Sequence, residues 1–446
     1  MKSISSPLRV ATTAVAAFLA SLFAAATLPA ADVSFYSVSK GILFAQTNSS
    51  PPQIRTGYPF LFQAMAVPMS NALSSASVVV AFGSLPLGPR FAGGPFTYTD
   101  RQPTLDLLDL FYPNASFTVT LNTLHDGAHS GAVTITGDDY PNPPSVSNYA
   151  PAQSINSSND FSLRWSGFTG ATTNDFIFVQ VDAGTGIVFR TSYTLGASGA
   201  LSGTNTSLLI PSNMLAPGRA YVGRIRFVKI VETNTTAYPG VIGAGTYFTQ
   251  TDFFLATDGA GDAVPPHIVS VSPSPGATNV PVNSPVIVTF DEPMRSALSL
   301  FVSGAGSLAG SSLVWSPDGF TFVAQPASKW PANTTLGFVL NPSDGQLLFG
   351  DANRNPLAME TFFQFTTGTN SVPPATPALT DPKRIVTGRF QFKLVGETNR
   401  VYAAEASTNL VNWVSLGTNT AWGGSIQFID TNAPTLPRRF YRGFAP

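Results

Sequence analysis

Two of the three histidines in this 446-residue chain lie four apart, in His125-Asp-Gly-Ala-His129, with Asp138-Asp139 nearby. Imidazoles at i and i+4 share one face of a helix and can chelate zinc there. Here they flank Asp126-Gly127, a dipeptide that favours the positive φ of a tight hairpin turn. No glutamate base stands between them. The pattern therefore reads as an exposed hairpin tip.

Other acidic groupings meet the same test. Asp351-Ala-Asn-Arg-Asn355 places oxygen donors at alternate positions, as calcium loops do, but Pro356 and Phe362 stand where an EF-hand needs glycine and glutamate. It reads as a turn whose side chains bond nearby backbone. Asp258-Gly-Ala-Gly-Asp262 reads as a polar linker, which interdomain calcium would stiffen. Asp291-Glu292 is the one adjacent Asp-Glu pair; a glycosidase needs two carboxylates across a cleft, whereas this pair ends a strand. Asp106 and Asp109 share the wet side of a short helical crossing. Serine catalysis needs a base, the third histidine, His267, falls in a linker, and no Gly-X-Ser-X-Gly elbow, phosphate loop or dinucleotide fingerprint occurs. Trp413, Trp422, Tyr402 and Tyr441 could stack on sugars, although aromatic side chains in small β-modules usually form core. The sequence assigns no catalytic, cofactor-binding or metal residue, and leaves the ligand-binding residues open.

Composition narrows the class. Charged residues are 11% and hydrophobic ones 43%, so real cores can form on a surface poor in charge. The formal net charge is −1, and −3 without residues 1–31, which hold two basic groups and no acidic one; this argues against nucleic acid or anionic lipid as partners. There is no cysteine, so thiol catalysis, thiolate metal sites and disulfides are excluded. Lys2 and Arg9 precede an uncharged apolar run over residues 10–26, then small residues. Residues 1–31 thus read as a secretory signal peptide, and no later stretch is long and apolar enough to span a bilayer.

The elements that carry these residues repeat. Phe111-Tyr-Pro-Asn-Ala-Ser-Phe117, Leu215-Ala-Pro-Gly-Arg-Ala-Tyr221 and Trp330-Pro-Ala-Asn-Thr-Thr-Leu336 each set an apolar residue, a turn and a second apolar residue before an alternating strand. One copy falls per immunoglobulin-sized sandwich of ~100 residues. Pro143-Pro144, Pro265-Pro266 and Pro373-Pro374 supply stiff connectors at matching intervals. The expected domains are 32–142, 143–259, 264–368 and a shorter one over 375–446.

Trp165 in an alternating strand, with Tyr221 before a later one, resembles a fibronectin type III domain. Pro265-Pro-His-Ile-Val-Ser-Val-Ser-Pro-Ser-Pro-Gly276, Val286-Ile-Val288-Thr-Phe290 and Trp315-Ser-Pro-Asp-Gly319 resemble bacterial Ig-like domains of the S-layer-protein type. Ser407-Thr-Asn-Leu-Val-Asn-Trp413 and Arg438-Arg-Phe-Tyr-Arg442 resemble a small C-terminal β-module of exported bacterial proteins. The expected fold is all-β, with tandem Ig-like and fibronectin III-like β-sandwiches and a small C-terminal β-domain. The resemblances imply a bacterial, exported, non-catalytic cell-surface or extracellular protein, a scaffold or adhesin that needs no cofactor. Its partners would be a surface protein or a polysaccharide. The alternative is a carbohydrate-binding protein accessory to polysaccharide use.

Overall fold

The computed structural model describes residues 31–445 apart from 70, 91–92, 193–196, 296–299, 304–311, 327–328, 341–348, 358–360, 372–375 and 386–387. Residues 1–30 of the expected leader and the Pro373-Pro374 connector lie outside the described residues.

Strands dominate, as the alternating patterns require. Half the chain is organised around one continuous sheet. Its order is Gly186–Arg190, Phe176–Ala183, Ala220–Asn234, Ile242–Ala256, Val33–Gln46, Phe60–Pro68, Phe96–Gln102, Gly83–Pro89, Leu73–Val80, Ser116–Thr123 and Ala128–Thr134. The first strand runs parallel to Ile242–Ala256, from Phe35 beside Ile242 to Gln46 beside Phe253. The hairpin Ala220–Asn234/Ile242–Ala256 has 15 residues in each arm. At ~3.3 Å per residue each arm reaches roughly 50 Å, enough to serve two sandwiches.

It does serve two. Near its open end Tyr221, Ile225, Phe227, Phe253 and Leu255 pack with Leu163, Trp165 and Val179 in one core. Near its tip Tyr238, Val241 and Tyr247 pack with Tyr36, Phe62, Val119 and Val133 in another. The boundary expected at Pro143-Pro144 is thus a boundary in sequence that the hairpin crosses in space. Local alternation cannot reveal this, because a strand of 15 residues alternates like two shorter ones.

Within the first sandwich, Asp126-Gly127 turns between Ser116–Thr123 and Ala128–Thr134, with Gly127 at φ +84°. Helix Leu105–Phe111 starts at Thr104, whose side chain accepts the Leu107 N–H at 3.3 Å. In the second, Tyr221 closes a tyrosine corner: its hydroxyl accepts the Ala216 N–H at 2.8 Å.

The sheet's other face is also buried. All eight residues of Phe176–Ala183 are shielded from solvent. The Phe35 and Phe176 rings meet edge-on at 6.5 Å, although their strands are three places apart and would be ~14 Å apart in a flat sheet. The sheet is therefore curled, and Arg226 reaches across to donate to Gln63 at 3.0 Å while covering the Phe248 ring at 4.0 Å. The space left there is ≈ 30 Å³, room for water and no sugar ring. Farther along this face Arg224 bridges Asp182 and Asp252, and Arg55 pairs with Asp252. Buried charges demand such pairing.

The third unit sets the sheet Ile268–Ser272, Val286–Phe290, Thr321–Gln325, Ser312–Trp315 against Leu300–Ser303, Thr335–Leu340, Thr361–Thr366. Leu336, Phe338, Phe363 and Phe365 fill its core. The last is a small pair of three-stranded sheets around Phe392, Leu394, Tyr402 and Phe428. Tyr402 repeats the tyrosine corner, accepting the Glu397 N–H at 2.8 Å from the same five-residue separation as Tyr221.

Candidate functional site

A polar assembly spans the joint between the second and third units, built on the loop Asp351-Ala-Asn-Arg-Asn355. Asp351 is fully buried and accepts the Asn355 N–H at 2.8 Å and its Nδ2 at 2.7 Å. Asn355 then faces outward from its own unit. Its Oδ1 accepts the Ala220 N–H at 2.9 Å, and its Nδ2 donates to the Asp262 carbonyl at 2.8 Å. Gly184 donates its N–H to the Arg354 carbonyl at 2.8 Å, and Arg219 Nη1 donates to that of Asn353 at 2.8 Å. A Cβ on Gly184 would lie 2.8 Å from the Arg354 oxygen, so glycine is what permits this approach.

The joint gathers three carboxylates. Asp262, Glu292 and Asp351 each bring an oxygen within 4.8 Å of the others, the one such metal-capable group among the described residues. Burial, then the charges of Asp351, Asp262 and Asp291, push the Glu292 carboxyl up to about 7. The set can share a proton, and its hard oxygens are of the kind that hold Ca²⁺, which takes six to eight oxygen ligands in all. The sequence reads Asp262 as linker, Asp351 as turn and Glu292 as a strand end. Long-range contacts that no local pattern announces bring them together: Asn355 and Asn353 hold Asp262, and the Met294–Asp351 bridge holds the strand end.

The other candidates disperse into structural pairings. His125 Nδ1 lies 2.8 Å from Asp32 Oδ1, while His129 stacks on Tyr238 at 3.7 Å. Asp138 instead accepts from Asn114 at 3.3 Å, so the His125/His129/Asp138/Asp139 grouping does not assemble. Asp291 accepts the His267 N–H at 2.7 Å. Asp109 pairs with the buried Lys40 at 2.6 Å, and Asp106 stays exposed. Of the four aromatic residues in the last unit, Tyr402 is core and Tyr441 stacks on Phe390 at 4.7 Å. Arg442 covers the Trp413 ring at 4.2 Å, and Trp422 is half-buried. Beside Trp413, Leu410, Val411 and Val414 are exposed.

Serial β-sandwiches joined by backbone-level contacts define a modular all-β protein. Residues 262–367 match the bacterial Ig-like domain family. No curated protein sequence matches the chain. Similar solved structures include L,D-transpeptidase 3 from Mycobacterium tuberculosis, at 20% identity over 29% of this chain and 44% of that one, TM-score 0.15. Chicken CNTN1 FN1-FN3 domains match at 9% identity over 75% and 100%, TM-score 0.16. A 1.5-MDa bacterial ice-binding adhesin matches at 11% over 75% and 97%, TM-score 0.17. The chain thus spans less than half of the transpeptidase's length. Among the described residues no helix is long and apolar enough to cross a membrane.

Proposed function

We propose that the protein is an exported, non-catalytic scaffold or adhesion protein of the bacterial surface, released from its leader of residues 1–31. The observation that carries this reading is how the chemistry-bearing side chains are used. The histidines, the Asp-Glu pair and the polar loop all hold strands, corners or joints, as a load-transmitting rod of sandwiches requires. The matched bacterial Ig-like segment supports it. So do Leu410, Val411 and Val414, three exposed apolar residues close together in the sequence of the last unit; exposed apolar patches mark contact surfaces.

The test is fractionation of a producing bacterium with protease shaving of intact cells. The expected result is envelope-associated protein that is cleaved from outside and released by the double change Leu410→Asp, Val411→Asp. Protein confined to the cytoplasm, or free in the medium with no cell association, refutes the reading. Affinity electrophoresis in polysaccharide gels separates the alternative: retardation lost on Trp422→Ala identifies carbohydrate binding instead.

A further inference from the structure

Asp32, the first carboxylate of the described chain, and Asp126 clasp each other. Asp32 Oδ2 accepts the N–H groups of His125 at 2.7 Å and Asp126 at 3.1 Å. In return Asp126 Oδ2 accepts the backbone N–H of Asp32 at 2.8 Å and the hydroxyl hydrogen of Tyr238. Asp32 N also lies 3.1 Å from that Tyr238 oxygen. One peptide hydrogen therefore faces two acceptors. An ammonium, with three hydrogens, satisfies both.

Charge points the same way. Burial opposes ionisation of Asp32, yet hydrogen bonds from the His125 ring and from the N–H groups of His125 and Asp126 hold it at about 2. The Tyr238 hydroxyl and then the Asp32 N–H lower Asp126 as well. Two carboxylates thus sit side by side as anions, with the His125 ring nitrogen 2.8 Å from Asp32.

We propose that hydrolysis of the Ala31–Asp32 peptide bond is the processing event, and that the α-ammonium it creates is captured as an ion pair by Asp126. The inference rests on the export reading, with a leader peptidase of the producing cell as catalyst. Water is the co-reactant: its oxygen goes to the Ala31 carbonyl, which leaves as a carboxylate, and Asp32 nitrogen becomes –NH₃⁺. The contact given up is the methyl of Ala31, half-buried against the first core. What is gained is a cation between two anions, clamped to the hairpin tip through Tyr238. Removal of the leader thereby tightens the first sandwich rather than merely shortening the chain.

The experiment has two arms. The full chain is produced with its own leader in an exporting bacterium, and its first residue is read by intact mass and N-terminal sequencing. Asp32 is expected. A first residue elsewhere in 24–31 overturns this proposal and leaves export standing, whereas a chain still beginning at Met1 overturns both. In the second arm, full-length chains starting at Asp32 or at Ala31 are released from a cleavable fusion, each with Asp126 or Asp126→Asn. The Asp32 start is expected to melt several degrees above the Ala31 start, and Asp126→Asn to abolish the difference. Amine acylation near neutral pH, mapped by mass spectrometry, is expected to be at least ~tenfold slower at the Asp32 terminus than at the Ala31 terminus, one pKa unit or more of protection. Equal melting and equal acylation of the two starts overturn the proposal, even if Asp126→Asn fails to fold.

Discussion

Truncating Tyr247 to alanine tests whether the long hairpin makes one cooperative unit of the first two sandwiches. Tyr247 belongs by sequence to the second expected domain, yet it is fully buried in the first core. Its hydroxyl donates to Gly137 O at 2.8 Å and lies 2.9 Å from Asn114 Oδ1. Loss of a buried aromatic side chain costs ~3–5 kcal/mol, and hydrogen bonds at ~1 kcal/mol each place this site in the upper part of that range. The assay is native-state hydrogen exchange, resolved by peptide, on the intact chain. At ~1.4 kcal/mol per tenfold, a loss of about 4 kcal/mol raises exchange roughly 10³-fold wherever opening is global. Cooperative coupling requires that increase both in Ser116–Thr123, next to the lesion, and in Phe176–Ala183, across the sheet. If Phe176–Ala183 keeps its wild-type protection, the hairpin links two independent domains and the reasoning fails.

Three further predictions concern single contacts. Glu292 binds its proton more tightly folded than unfolded, so its contribution is fully present below pH 4.5 and is lost as pH rises through about 7; the unfolding free energy from urea titration is expected to fall between pH 5 and 8 by about 1–2 kcal/mol after allowance for solvent screening. Glu292→Gln is expected to flatten that slope and to exceed wild type at pH 8; an unchanged slope would show that the three carboxylates do not share a proton. Tyr221→Phe removes the bond from the Ala216 N–H and is expected to cost ~1–2 kcal/mol by denaturant titration, with Tyr402→Phe matching it in the last unit. Gly184→Ala forces a methyl against the Arg354 carbonyl, an overpacking cost of ~1–3 kcal/mol, and is expected to loosen the joint, read as faster exchange at 349–357 and a broader small-angle scattering profile.

What the sequence reveals here depends on how far apart the partners lie. Trp165 and Tyr221 are readable because a strand's alternation and a corner five residues long are local patterns. The turn at Asp126-Gly127 is readable for the same reason. The corner at Tyr402 is just as local, since the Glu397 spacing repeats that of Tyr221 and Ala216, but a tyrosine between strands is equally readable as a stacking ring. The pairing of Val33–Gln46 with Ile242–Ala256 has no local signature, since each strand alternates equally well beside any neighbour. The joint fails for a related reason. Asp262 and Asp351 each look like solvated turn residues until Asn355, an amide with both a donor and an acceptor, ties the linker and the Ala220 strand to the loop. Asp32 carried no pattern at all; its role comes from what surrounds its nitrogen.

The parallel pairing of the first strand has a consequence for synthesis. Val33–Gln46 leaves the ribosome early, but the strand at its side ends at Ala256. At ~5–20 residues per second, that partner is complete roughly 10–40 s after the first strand has been made. Until then neither the first core nor the curled face can close, because Tyr247 and Phe248 do not yet exist. Contacts so distant along the chain also fold slowly. A polypeptide that must stay open until its residue 256 has been translated is one that a membrane translocase can thread, and the pairing order of its strands sets that delay.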